Sequence, residues 1–331
     1  MYSLRNKINQ LFIIGFEGDN VDKCDIFIEL SKNGLGGAIF FTQNIFSEEQ
    51  FKKNTDKIKN MSLISPFLSI DQEGGRVERT ENIHNGKKYL SAKDAASRGI
   101  DFVEKQTREL CEELLSFGIN MNFAPVLDTN TNPQNPIIGV RAYGDNPDDV
   151  IKFAVPVFKI HKEMGIIPVG KHFPGHGDTA TDSHLEMPIV KLSREEMEQT
   201  HLKPFKVAIQ NGLDAVMVSH VYYTCYDEKP CPATLSKNVS TNLLRNELSF
   251  KGLVISDDMV MGAVSDKNPF EIYIKALKAG INVFLYRYSD EKLISILDFI
   301  ENSAKNDEEL LAKINKSFEN VIELKHMYNI L

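Results

Sequence analysis

Residues 166–184 read Ile166-Ile167-Pro168-Val169-Gly170-Lys171-His172-Phe173-Pro174-Gly175-His176-Gly177-Asp178-Thr179-Ala180-Thr181-Asp182-Ser183-His184. An apolar run of strand length gives way to a turn-rich loop. That loop carries three imidazoles, two carboxylates, an ammonium group and three Pro/Gly residues. Titratable groups on a loop directly after a strand are how an active site is built in a parallel α/β protein. A purely structural loop has little use for so many groups that exchange protons or bind metals.

The pattern repeats outward from this strand. Short apolar runs occur at 11–16, 37–41, 66–71, 120–127, 166–172, 215–220, 253–257 and 281–286. Each has the length of a buried parallel strand. Amphipathic segments lie between them. Residues 101–117 have helical spacing and end before Gly118, and 193–210 open on a capping box at Ser193-Arg194-Glu195-Glu196. Residues 270–278 stop before Gly280, and 307–328 form a last helix. Eight strand–helix repeats predict an α/β fold, a single (β/α)8 TIM-type barrel spanning 1–331 as one domain. The rival, a doubly wound open sheet, is disfavoured because Glu17-Gly18-Asp19-Asn20 after the first strand is not GxGxxG.

Chemistry in a barrel gathers at the C-terminal strand ends. Here those ends carry Asp71 with Glu73, Arg76 and Arg79; Asp128 with Asn130, Asn132, Asn135 and Arg141; Lys171-His172; Ser219-His220; and Ser256-Asp257-Asp258. Five consecutive polar strand ends favour an enzyme over a scaffold. The 331 residues are 42% apolar and 25% charged, with net charge −8 and pI near 5.6. This mildly acidic balance without Lys/Arg clusters argues against nucleic acid or anionic lipid as a partner. No apolar stretch reaches the length of a bilayer span. The start of the chain lacks a signal-peptide pattern, so a cytoplasmic protein is expected. Cys24, Cys111, Cys225 and Cys231 are scattered and read as free thiols. A monomer acting on a small molecule is the expected state, with no cofactor and no metal.

Lys171, Arg79 and Arg141 suit a polyhydroxylated ligand, and Asp71 suits a pair of sugar hydroxyls. Asp257 can attack a carbon bearing positive charge, and displacement at an anomeric carbon needs a carboxylate on one side and a proton donor on the other. His184 is the candidate donor, because Asp182 two residues earlier favours its charged form. Strand alternation puts Asp257 and Asp258 on opposite faces without saying which points inward. His220 reads as a hydrogen-bonded packing residue, Asp128 as an orienting residue, and Glu73 as a partner of Arg76 or Arg79. Pro174, Gly175 and Gly177 read as joints that let the loop close. The rivals are a metal-dependent hydrolase using His172, His176, Asp178, Asp182 and His184, and a non-catalytic sugar-binding protein. The first is disfavoured because strand 1 ends in Phe16-Glu17, without the expected His-x-His.

The run 171–184 resembles a signature of glycoside hydrolase family 3 β-N-acetylglucosaminidases. Residues 71–79 (DQEGGRVER), 122–128 (NFAPVLD) with 138–144 (IGVRAYG), and 256–259 (SDDM) resemble three further motifs of that family in the same order. The resemblance implies a retaining two-step glycosidase. It makes Asp257 rather than Asp258 the nucleophile, His184 the acid/base and Asp182 its partner. It places Asp71, Arg79, Arg141, Lys171 and His172 around the N-acetylglucosamine ring. Thr80 departs from the apolar or aromatic residue common there. The implied substrate is terminal β-linked GlcNAc, from a peptidoglycan-derived muropeptide or a chitooligosaccharide. A phosphorylase of the same family is the alternative.

Overall fold

The structure is a computed structural model that describes residues 2–83, 88–180, 187–265 and 268–331. Eight parallel strands close into a barrel: β1 (Phe12–Ile14), β2 (Gly37–Phe40), β3 (Phe67–Ile70), β4 (Met121–Asn122), β5 (Ile167–Phe173), β7 (Ala215–Val218), β9 (Leu253–Asp258) and β10 (Val283–Tyr286). The short strands β6 (Ile189–Val190) and β8 (Tyr222–Tyr223) pair with each other outside the barrel wall. Closure is made by β1, which pairs with β10 on one side (Phe12 opposite Phe284) and β2 on the other (Ile13 opposite Gly37).

The strands are buried almost throughout, which is why they read as continuous apolar runs rather than alternating ones. Helices cover the outside, and aromatic pairs seal the joint. Phe12 meets Tyr273 of the helix Glu271–Ala279, Phe16 meets Phe27 of Asp25–Lys32, Phe40 meets Phe51 of Glu48–Met61, and Phe173 meets Phe205 of Leu202–Gln210. Each such pair contributes about 0.5–1.5 kcal/mol beyond its burial. At the N-terminal end of the barrel the buried Lys325 ammonium donates to Gln10 Oε1 (2.8 Å) and the Gly36 carbonyl (3.0 Å), and lies over the Phe67 ring.

Two expected elements differ. The fourth strand is two residues long rather than eight, because Pro125 has no N–H to give to a ladder. The chain still runs beside β5 as far as Leu127, whose N–H donates to the Lys171 carbonyl at 2.7 Å. The segment 193–210 keeps its Ser193–Glu196 capping box but contains a π-turn at Met197–His201. Pro204 cannot donate to the Thr200 carbonyl one turn earlier. Thr129 Oγ1 donates to that carbonyl instead, from the loop after β4 (3.3 Å). No helix among the described residues is long and apolar enough to cross a membrane.

Candidate active site

Asp71 follows β3, Lys171 and His172 lie in β5, Asp257 lies in β9, and Arg79 and Arg141 stand on the loops after β3 and β4. All six line one cavity of about 190 Å³ at the C-terminal end of the barrel. Apolar walls come from Ile39, Phe41, Met217, Met261 and Leu285. Asp182 and His184 lie outside the described residues.

The floor is one connected set of charges. Lys171 is buried and donates to Asp71 Oδ1 (2.5 Å) and Glu73 Oε1 (2.6 Å). Glu73 also receives both arms of Arg141, Nε and Nη2, each at 2.8 Å. A fork-to-fork pair of this kind fixes both planes. Glu73 therefore pairs with Arg141 and Lys171, not with Arg76 or Arg79 as the sequence suggested. Burial opposes its charge, yet Arg141 and Lys171 outweigh that effect and hold its carboxyl well below the usual range. Arg76 instead donates to the Pro136, Ile137 and Ile138 carbonyls.

His172 is oriented from both sides. Its Nδ1 lies 2.7 Å from Asp128 Oδ2, and Arg141 Nη2 lies 3.4 Å from its Nε2. A guanidinium can only donate, so the ring proton sits on Nδ1, facing Asp128. Asp128 is fully buried and also accepts the His172 and His176 N–H groups, the orienting role expected of it. Burial works against its charge, but the His172 contact prevails and its pKa is lowered. Behind this layer Gln72 and Asn122 exchange backbone and amide hydrogen bonds (3.0 Å each way), tying β3 to β4. Asn122 Nδ2 faces His161 Nε2 at 3.1 Å, and burial lowers the His161 pKa to about 4. Thr80 takes the Gln72 side-chain amide at 2.8 Å, which gives its hydroxyl a buried partner.

Two carboxylates end β9. Asp257 opens partly to the cavity, and its Oδ1 accepts the Asp258 N–H at 2.8 Å. Burial would raise its pKa, but His220, His172 and that N–H outweigh it and set the carboxyl at about 2. Asp258 is buried and pairs with Arg287. Arg79 presents a guanidinium over the Phe41 ring, with a buried Nε that meets no hydrogen-bond acceptor among the described residues. A sugar hydroxyl or acyl oxygen would satisfy it. His220 is buried between Thr234 Oγ1 (2.8 Å) and the Asp258 carbonyl (3.0 Å), the packing role expected.

After β5, residues 174–180 pack closely against the loop after β4 and the helix that follows. A Cβ on Gly177 would lie 1.7 Å from the Thr129 carbonyl oxygen, and one on Gly175 (φ +129°) 2.6 Å from His201 Cβ. These glycines permit the close packing seen there. Tyr223 donates to the Gly175 carbonyl and Asn135 to the His176 carbonyl, both at 2.9 Å. No group of three or more His, Cys, Asp or Glu among the described residues is placed to hold a metal ion. His176 Nδ1 lies against Thr179 Oγ1 and Asp178 accepts from Thr131. Sequence reasoning missed Arg287 and the true partners of Glu73. Arg287 directly follows the last strand, so the strand-end rule could have found it.

Comparison with known proteins gives one consistent result. Residues 3–324 match the model of the glycosyl hydrolase family 3 N terminal domain. Beta-hexosaminidase A of Pseudoalteromonas piscicida is 32% identical, over 87% of this chain and 54% of that protein. A beta-hexosaminidase of Photobacterium profundum is 35% identical, over 80% of this chain and 78% of its own length. The solved structure of a glycoside hydrolase family 3 beta-N-acetylglucosaminidase from Paenibacillus sp. superposes with a TM-score of 0.93 at 34% identity, covering 100% of this chain and 63% of that one. The chain thus spans little more than half of the first relative and under two thirds of the solved structure. With the family model matched across nearly its whole length and the strand-end site in place, this chain belongs to glycosyl hydrolase family 3.

Proposed function

We propose that this protein hydrolyses terminal β-linked N-acetylglucosamine with retention, through a glycosyl-enzyme intermediate. The observation that carries the reading is Asp257: an ionised carboxylate, open to the cavity, opposite an array of hydroxyl-binding groups. In the first step Asp257 forms a bond to C1 while the glycosidic C–O bond breaks, and His184 gives its proton to the departing oxygen. In the second, neutral His184 takes a proton from water, the water oxygen bonds to C1, and Asp257 leaves as carboxylate. Asp182 keeps His184 oriented and favours its charged form. Asp71 Oδ2, the Arg79 guanidinium and Lys171 are the hydroxyl and acyl partners of the sugar ring.

The names of the relatives support the sugar specificity. For the leaving group, the narrower reading is an N-acetylmuramic or anhydro-muramic residue of a cell-wall fragment, as in cytoplasmic recycling. A lactyl carboxylate of such a leaving group would find cations at the cavity, Arg79 and Arg287, to offset the carboxylates Asp71 and Asp257. The test is hydrolysis of p-nitrophenyl β-GlcNAc against p-nitrophenyl β-glucose, by wild type and Asp257→Ala. The expected result is preference for GlcNAc and a loss of at least ~10³-fold in the variant, the scale at which removing a catalytic group acts. Equal turnover of the two sugars, or an active Asp257→Ala protein, would refute it. GlcNAc-anhydroMurNAc against chitobiose tests the leaving group.

A further inference from the structure

Asp258 is only 4% exposed, and every polar group it has is engaged. Its Oδ2 receives Arg287 Nε, its Oδ1 receives the Val260 N–H at 3.1 Å, and its carbonyl lies 3.0 Å from His220 Nε2. Its own N–H is the group that holds Asp257 Oδ1. The residue after Asp257 is therefore clamped from β7 through His220 and from the end of β10 through Arg287. The β9–β10 register shifts at this point, and Leu285 rather than Tyr286 stands opposite Asp258. That shift puts Asp258, rather than Asp257, in phase with Leu285 and so with Arg287 two residues on. A buried carboxylate without a cation next to Asp257 would repel its charge or take up a proton, and in either case it would release the clamp.

We propose that Arg287 and Asp258 work as one positioning pair for Asp257, fixing the peptide whose N–H aims the Asp257 carboxylate. This rests on the reading of Asp257 as the nucleophile. Arg287 acts on the reaction through Asp258, although its guanidinium also borders the cavity. The competing role for such a group is direct contact with the substrate, and the two roles leave different kinetic traces. A positioning pair loses its effect once either member is gone, and it affects the attack more than substrate affinity. A contact with substrate is independent of Asp258 and raises KM.

The experiment is a double-mutant cycle on the whole chain: Arg287→Met, Asp258→Asn, the double variant and Arg287→Lys, each assayed for kcat and KM on p-nitrophenyl β-GlcNAc. Thermal unfolding identifies the folded variants, and if Arg287→Met does not fold, Arg287→Gln takes its corner of the cycle. Each single variant is expected to lower kcat by about 10- to 100-fold, since a shift of ~1 Å in a reacting group costs that much. KM should stay within about threefold. The double variant should be no slower than the worse single one, as coupled neighbours behave. Arg287→Lys should recover part of the loss. Losses that multiply in the double variant, or a KM raised more than about tenfold with kcat kept, would overturn the pairing. Wild type active on the substrate with multiplicative losses would refute only this inference. Wild type without turnover would refute the proposed activity as well.

Discussion

Replacing Glu73 with glutamine removes a carboxylate that binds two cations at once beneath the cavity. Glu73 accepts both arms of Arg141 and the Lys171 ammonium, and its side chain is 5% exposed. Glutamine keeps the size and one acceptor oxygen but leaves Arg141 without its forked partner. Lys171 keeps Asp71, so the uncompensated charge falls mainly on Arg141. Breaking a buried pair by neutralising one partner costs about 3–5 kcal/mol. For 331 residues, an unfolding entropy of about 2.1 cal/mol/K per residue gives roughly 0.7 kcal/mol/K, so Tm should fall by about 4–7 °C. The folded-state pKa of Glu73 lies below its unfolded value, so the unfolded chain binds the extra proton and stability rises with pH. Its contribution is fully present above about pH 4.3 and shrinks as the pH falls below that. Scanning calorimetry at pH 7 and pH 4 reads both effects: the gap between wild type and variant should be wide at pH 7 and narrower at pH 4. A variant within about 1 °C of wild type at pH 7 would show that the floor is not held as described.

Gly177→Ala pushes a methyl group into the Thr129 carbonyl, with no flexible side chain to yield. It should cost about 1–3 kcal/mol in urea unfolding, and it should lower kcat because the loop leads on to Asp182 and His184. A Gly177→Ala protein with wild-type kcat would show that the approach to Thr129 is unimportant. Burial, aided by the Glu113 and Glu81 charges, pushes Glu78 up to about 7. The folded chain then holds a proton that the unfolded chain has lost, so stability declines as pH rises from about 4.3 towards 7. Glu78→Gln should flatten that decline, read as urea midpoints at pH 5 and pH 8; an unchanged slope would refute it.

The barrel was legible because parallel strands buried on both faces leave continuous apolar runs, and all eight runs became strands. Boundaries shifted where a single residue removed a hydrogen bond, as Pro125 did in β4 and Pro204 did in the helix 193–210. The candidate site was legible as strand ends, so Asp71, Lys171, His172 and Asp257 were found together with Arg79 and Arg141. Pairing was not legible. Which carboxylate meets which cation depends on side-chain reach between neighbouring strand ends. Glu73 turned away from the arginines next to it in sequence to one 68 residues on. The choice between Asp257 and Asp258 had no local signal either, since Arg287, which covers Asp258, lies 29 residues later.

The most direct test traps the covalent bond between Asp257 and the sugar. An activated 5-fluoro-N-acetylglucosaminyl substrate slows the second step, so the intermediate can be digested and its labelled peptide sequenced by mass spectrometry. The expected result is a glycosyl adduct on Asp257, released as the β-anomer on turnover and absent from Asp257→Ala. An adduct on Asp258 or elsewhere, or release of the α-anomer without any adduct, would contradict it.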